Sequence, residues 1–269
     1  MQKVQLQPAF VLHSRPFRES SQLLELLTRD AGRVGAVARG ARGARSRWRG
    51  MLQPFRPLLV SYSRRSDLAT LTAADQVAAP PTLDGEALYC GLYVNELTLR
   101  LLLRDDPHPE VFEQYRETLG ALVGGESLQT ALRLYEKQLL DATGFGLILD
   151  REAGSETPLD PEAHYDYQPD RGPVRVAKSA AKRDGVVSGR VLQALDAGHI
   201  DPADWPGLRG LMRRVLKRQL GDRPLASEAL FRALRRGRGA DDPSRLRTEP
   251  DSDLDTTKVI SDKQESQHG

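Results

Sequence analysis

Cysteine is almost missing, with Cys90 the single thiol in 269 residues. A lone cysteine builds neither a disulfide framework nor a thiolate zinc site, so the fold must stand on packing, as in proteins of reducing compartments. No stretch offers the ~18 uncharged apolar residues that cross a bilayer. Met1 to Phe10 also lack the basic start and apolar run of a secretory signal. The expectation is a soluble, cytoplasmic chain with no membrane partner. Histidine is scarce, and His13, His108, His164, His199 and His268 show no metal-ligand spacing. A nucleophile elbow and a phosphate-cradling Gly-Lys-Ser/Thr loop are both lacking. The glycines of Gly144-Phe145-Gly146 follow a helical pattern instead of opening one, which reads as a helix cap and not a phosphate cradle. These absences argue against an enzyme and predict no cofactor and no metal.

Net charge is also small, at +2, but the total hides a segregation. Residues 1–80 carry 13 Lys and Arg against 5 Asp and Glu, and residues 81–170 carry 6 against 18. Residues 171–239 turn basic again, with 16 against 6, and residues 240–269 are acidic, with 4 against 8. Such blocks create local fields that attract polyanions whatever the sum. The first block is the more lopsided, because residues 31–66 hold nine Arg and no acid. Either block is open to a plain reading as solvated surface, the second more than the first.

Residues 1–80 alternate in the manner of strands, with short runs at 9–13, 22–28, 33–38, 58–62 and 68–72 between turn-prone residues. Five short strands without a helix between them predict a small barrel or sandwich, an OB-type barrel being one solution. Pro80-Pro81 breaks the pattern and marks a domain boundary. Helices are predicted over 86–103, 110–122 and 127–142. The first carries the stripe Leu88, Gly91, Leu92, Asn95, Leu99 and Leu102, in which Asn95 reads as a buried amide tying the helix to a neighbour. Residues 150–185 are a turn-rich insertion with one strand-like piece at 174–177. A basic amphipathic helix follows, with Leu208, Leu211, Met212, Val215 and Leu216 on one side and Arg209, Arg213, Arg214, Lys217 and Arg218 on the other. A short helix is predicted over 227–236, and residues 240–269 are too polar to offset ordering entropy, so they read as a disordered acidic tail. The whole is an α+β chain, with strands in 1–80 and an all-helical part in 81–239 that carries the insertion.

The most informative stretch lies between the third and fourth strands, where Arg39, Arg42, Arg45, Arg47 and Arg49 alternate with small residues and Trp48. Guanidinium groups pair with phosphates in a fork, glycines let a strand approach closely, and an indole offers a stacking face. Arg33 on the third strand, and Arg64 and Arg65 at the turn after the fourth, extend this candidate DNA-binding set. The alternative is a solvated loop whose Trp48 folds back on the strands.

The residues resemble the RecO family in Phe10-Val-Leu-His-Ser-Arg-Pro16, Gly32-Arg-Val34 with Ala38-Arg-Gly-Ala-Arg42, Leu52-Gln-Pro-Phe55 and Leu92-Tyr-Val-Asn-Glu-Leu97. Later pieces are Ala131-Leu-Arg133, Thr143-Gly-Phe-Gly146, Ser188-Gly-Arg190 and Arg223-Pro-Leu-Ala-Ser-Glu-Ala-Leu-Phe231, so the likeness spans about 8–236. It implies a five-stranded OB-fold barrel followed by a helical domain. It further implies a recombination mediator in DNA repair, associated with the nucleoid, that binds single-stranded DNA and anneals strands without ATP. Its implied partners are RecR, RecF, and single-strand-binding protein, on whose coated DNA RecA is loaded. One branch of the family holds zinc with four cysteines in the insertion; this chain has none there and resembles the zinc-free branch. The acidic, Phe-ended tail of single-strand-binding protein needs an apolar slot rimmed by cations, and Arg133 and Lys137 are the candidates. An adapter that recruits partners through its helices, with nucleic-acid contact incidental, stays open beside the mediator reading.

Overall fold

The computed structural model describes residues 2–124, 127–227 and 229–230. Five strands open the chain: β1 (Gln2–Phe17), β2 (Ser21–Thr28), β3 (Gly32–Ala38), β4 (Leu58–Arg64) and β5 (Ala69–Gln76). β1 pairs antiparallel with β2 and β4, β2 with β3, and β4 with β5, while β3 meets β5 in a short parallel contact at Ala36 and Val37. Each strand thus has two hydrogen-bonded neighbours. All five expected strands are present, but β1 is far longer than its apolar run. Its polar first half pairs with β4 and its second half with β2, a division of labour that hydrophobic alternation does not announce.

The strands serve two cores at once, because successive side chains of a strand point to opposite faces. Ala9, Val11, Leu24 and Leu26 pack with Val34, Val60 and Tyr62 inside the sheet. Phe10, Leu12 and Leu27 point the other way and join the core of the helices. Phe10 meets Phe112 and Tyr115 with ring centroids 5.4 and 5.0 Å apart. The core of the helices is therefore shared by both parts, beside a second core inside the strands, where the sequence had suggested two self-contained domains.

Three helices follow: α1 (Gly85–Leu101), α2 (Pro109–Val123), whose proline needs no N–H at the first position, and α3 (Leu128–Ala142). Ser127 caps α3 by accepting the Thr130 N–H at 3.3 Å. Asn95 is the tie its position suggests: its amide donates to the Leu12 carbonyl at 2.9 Å, and its oxygen accepts the Tyr115 hydroxyl at 2.6 Å. The buried face of α1 is wider than the predicted stripe and includes Cys90, Val94, Leu97 and Thr98, since β1, α2 and α3 all pack against it. Burial pushes the Cys90 thiol up to about 11, so it is a small apolar side chain and no nucleophile.

The second part is not all-helical. The insertion carries a three-stranded antiparallel sheet of β6 (His164–Gln168), β7 (Gly172–Val176) and β8 (Val186–Ser188), with β6 in the middle. Tyr165 and Tyr167 are its buried anchors, the Tyr167 hydroxyl accepting the Ile148 N–H at 2.9 Å. The strand-like piece expected at 174–177 lies within β7 except for its last residue, and Pro173 is tolerated there because β7 is an edge, where a missing N–H costs no ladder bond. Two helices complete the part, α4 (Gly189–Ala197) and α5 (Trp205–Leu220), and the predicted stripe of α5 is buried throughout. Among the described helices none is long and apolar enough to cross a membrane. The short helix expected over 227–236 extends beyond the described residues, and the acidic tail over 240–269 lies outside them.

Candidate nucleic-acid interface

The chain between β3 and β4 folds as a series of tight turns, in which Gly43, Ser46, Arg49 and Met51 each donate a backbone N–H to the residue three before. Trp48 anchors it. The indole is 5% exposed, packs with the strand core and donates Nε1–H to the Arg39 carbonyl at 3.1 Å. Arg47 lies over its ring at 4.2 Å from the centroid. Trp48 therefore holds the loop to the strands and presents no free face for a base, a correction to its expected stacking role. Its apolar area was worth more inside the core than on a surface with few other aromatics.

Trp48, Leu52 and Phe55 turn into the interior, and the arginines before and beside Trp48 are left outside. Arg39, Arg42, Arg45, Arg47 and Arg49 are all exposed. Arg42 reaches the Arg18 and Glu19 carbonyls at 3.3 and 3.2 Å, and Arg47 reaches the Thr72 carbonyl at 3.1 Å, so the loop runs from the β1–β2 turn to β5. Turn 18–20, the end of β3 and turn 65–68 converge there on a cleft of about 520 Å3, lined by Phe17, Arg18, Ser20, Arg39, Ser66 and Thr70 among others.

Two members of the expected set are occupied elsewhere. Arg33 is half-buried, donates to the Leu99 carbonyl at the end of α1 and stands 3.9 Å from Glu25. Burial pushes its guanidinium pKa down, against the pull of Glu25. It ties β3 to α1 and does not face the cleft. Arg64 grips Asp105 with two hydrogen bonds and also binds the Ser66 and Asp67 carbonyls, which shapes turn 65–68. The Arg64 hydrogen bonds hold the Asp105 carboxyl below its usual range. Arg65, next to it, is exposed.

The second basic block contrasts with this loop. Arg213, Arg214 and Arg218 on α5 pair with Asp184, Asp166 and Asp170 of the insertion at 2.5, 2.8 and 3.1 Å, and Arg183 also meets Asp166 at 2.7 Å. The Asp184 and Asp170 pairs are exposed and add little stability, while Asp166 is largely covered; all of them spend the positive field locally. Among the described residues, no acidic side chain pairs with Arg39, Arg42, Arg45, Arg47 or Arg49.

The two cations proposed for a peptide tail are also engaged. Arg133 is 5% exposed and donates to the fully buried Glu136 at 2.5 Å, and the same carboxylate oxygen accepts the Tyr93 hydroxyl at 2.7 Å. Lys137 meets Asp141 at 3.2 Å and Asp196 at 3.5 Å. Arg133 thus belongs to the interior of the helical part and forms no exposed rim. Sequence reasoning placed it at the edge of the apolar face of α3, as an exposed rim, because periodicity does not foresee how far a helix is covered. It also passed over Phe17 and Arg18, whose only signal was an aromatic beside a cation at a hairpin end.

A family model described as "Recombination protein O N terminal" matches residues 1–80, and one described as "Recombination protein O C terminal" matches residues 82–229. Proteins named DNA repair protein RecO are similar over most of both chains. That of Alkalilimnicola ehrlichii is 49% identical over 237 residues, 87% of this chain and 93% of the other. That of Nitrosococcus oceani is 46% identical over 236 residues, 87% and 95%. That of Methylococcus capsulatus is 44% identical over 232 residues, 86% and 94%. With both halves matched and this level of identity across most of its length, the chain belongs to the RecO family.

Proposed function

We propose that this protein is a recombination mediator that binds single-stranded DNA at the cleft and arginine loop of its five-stranded part, and there anneals complementary strands without ATP. The strand order, with each strand between two others and β3 beside β5, is read as an OB-fold barrel, whose inter-strand turns form the usual oligonucleotide site. One observation carries the reading: the loop bearing Arg39, Arg42, Arg45, Arg47 and Arg49 has no acidic partner among the described residues, whereas Arg213, Arg214 and Arg218 of the second basic block each have one. Unspent guanidinium charge neutralises phosphate repulsion, so two strands can approach each other on one surface. No bond is made or broken, so the protein is not an enzyme. RecR, RecF and the tail of single-strand-binding protein are its partners on this reading, and RecA loading is the outcome.

The test is fluorescence-monitored pairing of complementary oligonucleotides without nucleotide. The wild-type protein is expected to accelerate pairing, with binding that weakens steeply as salt rises and changes little with base order. Reversing Arg39, Arg45 and Arg49 to Glu is expected to abolish the acceleration while the fold stays intact, since these side chains make at most one weak local contact, Arg49 to the Ala44 carbonyl at 3.4 Å. Pairing at wild-type speed by that variant would overturn the reading.

A further inference from the structure

We infer that Phe17 is the base-stacking surface of this interface and that the cleft beside it seats one unpaired base of a single strand. This deepens the reading above and rests on it, because it says where the strand's bases go.

Residues 1–80 hold five aromatic side chains: Phe10, Phe17, Trp48, Phe55 and Tyr62. Four are buried, Phe10 against α2 and Trp48, Phe55 and Tyr62 in the interior. Phe17 alone keeps an exposed part, and that part lines the cleft. A flexible strand held only through phosphates leaves its bases in water; an aromatic face next to the phosphate contacts gives them somewhere to lie. The cleft volume of about 520 Å3 falls within the ~300–1,000 Å3 of small-ligand sites, enough for a single nucleotide.

Its surroundings have the matching chemistry. Arg18 lies over the Phe17 ring with its guanidinium 5.3 Å from the centroid, but unlike the buried Trp48 under Arg47 this ring keeps accessible surface, and Arg39 lines the same cleft. The hydroxyls of Ser20, Ser66 and Thr70 offer donors and acceptors to a base edge without choosing one base. Arg18 also adopts φ +52, a left-handed conformation that Gly or Asn takes at lower cost. A long cation kept at a strained turn position beside an aromatic ring fits a side chain used for contact, not for the turn.

The experiment compares an oligo-dT strand with an abasic strand of the same length, so that phosphate number is fixed and only bases differ. Binding is followed by anisotropy at low salt with the full-length protein. The wild-type protein is expected to prefer the dT strand by about 10-fold, in the range for one stacked base. Phe17→Leu, which keeps an apolar side chain at this half-buried position, is expected to erase that preference, so that dT and abasic strands bind alike. Phe17→Trp is expected to retain the preference, and its added indole emission to be quenched by dT and not by the abasic strand. A full dT preference in Phe17→Leu, or an unquenched Phe17→Trp, overturns the stacking site while the arginine interface stands. Loss of all binding in the wild-type protein, to either strand, overturns the interface and the stacking site with it.

Discussion

Individual side chains in this protein are decided by what covers them. Arg133 and Glu136 sit three apart on α3 and would be a routine surface pair if the helix had one wet side; here their side chains are 6% and 0% exposed. A buried pair gives little net stability, but removing one partner leaves a charge without compensation. Arg133→Ala is therefore expected to cost about 3–5 kcal/mol in urea unfolding, whereas Arg133→Met with Glu136→Leu together should restore most of it. Equal losses in the single and double variants would show that shape, not charge, governs the site. Trp48 teaches the same lesson at the other end of the molecule. Its neighbours are arginines, glycines and serine, which name a loop, yet the indole is the loop's apolar anchor. Residue type and spacing revealed the arginine cluster because exposed charge needs no partner to be recognised. They could not reveal that Arg64 and Arg33 were already taken, since Asp105 and Leu99 lie 41 and 66 positions away. Glu136, three positions from Arg133, was a partner that helical spacing could offer but whose burial it could not.

At the scale of elements, the connections do as much as the strands and helices. Gly32 holds φ +66 at the start of β3, and a Cβ there would run into the Asp106 carbonyl, so only glycine lets the β2–β3 turn settle on the segment after α1. The end of α5 is secured by side chains of α1. Arg100 donates to the Leu220, Arg223 and Pro224 carbonyls, and Glu96 accepts the Ala226 and Ser227 N–H groups and the Ser227 hydroxyl. Burial raises the Glu96 pKa, but the Ser227 and Ala226 hydrogen bonds outweigh it, and the carboxyl lies below its usual range. A folded pKa lower than the unfolded one means a contribution present above the ordinary glutamate range and lost as pH falls below it. Hydrogen exchange at Ala226 and Ser227 is thus expected to quicken, relative to the rest of the protein, when pH drops through and below that range. Glu96→Gln should show the fast exchange already at neutral pH. The small sheet of the insertion was the element least legible in sequence. Its strands are three to five residues long, and the prolines that flank or enter them carry a stronger turn signal than His164-Tyr-Asp-Tyr-Gln168 carries for a strand.

For the whole molecule, the described residues form one compact unit, although the family models divide them near residue 81. The five strands of residues 1–80, the helices α1, α2, α3 and α5 and the switch at Pro80-Pro81 were readable because each rests on local periodicity. The common core was not, because it depends on which face of β1 and β2 meets a helix far along the chain. It makes a firm prediction: a fragment of residues 1–80 would expose Phe10, Leu12, Leu27 and Phe55 together, a patch that soluble monomers rarely tolerate. Such a fragment is expected to aggregate or to melt without a cooperative transition in circular dichroism, while residues 1–231 melt as one. A cooperatively folding, monomeric fragment would show that the strand part is self-sufficient.

A strand with one side in each core has a mechanical consequence. β1 ends at Phe17, on the lip of the cleft, and seven residues earlier its Phe10 is wedged among the aromatic rings of α2. Any load a tethered polymer places on the lip travels to the helices along this one strand, through the register shift between Val11 and His13. The protein grips and braces with one piece of backbone.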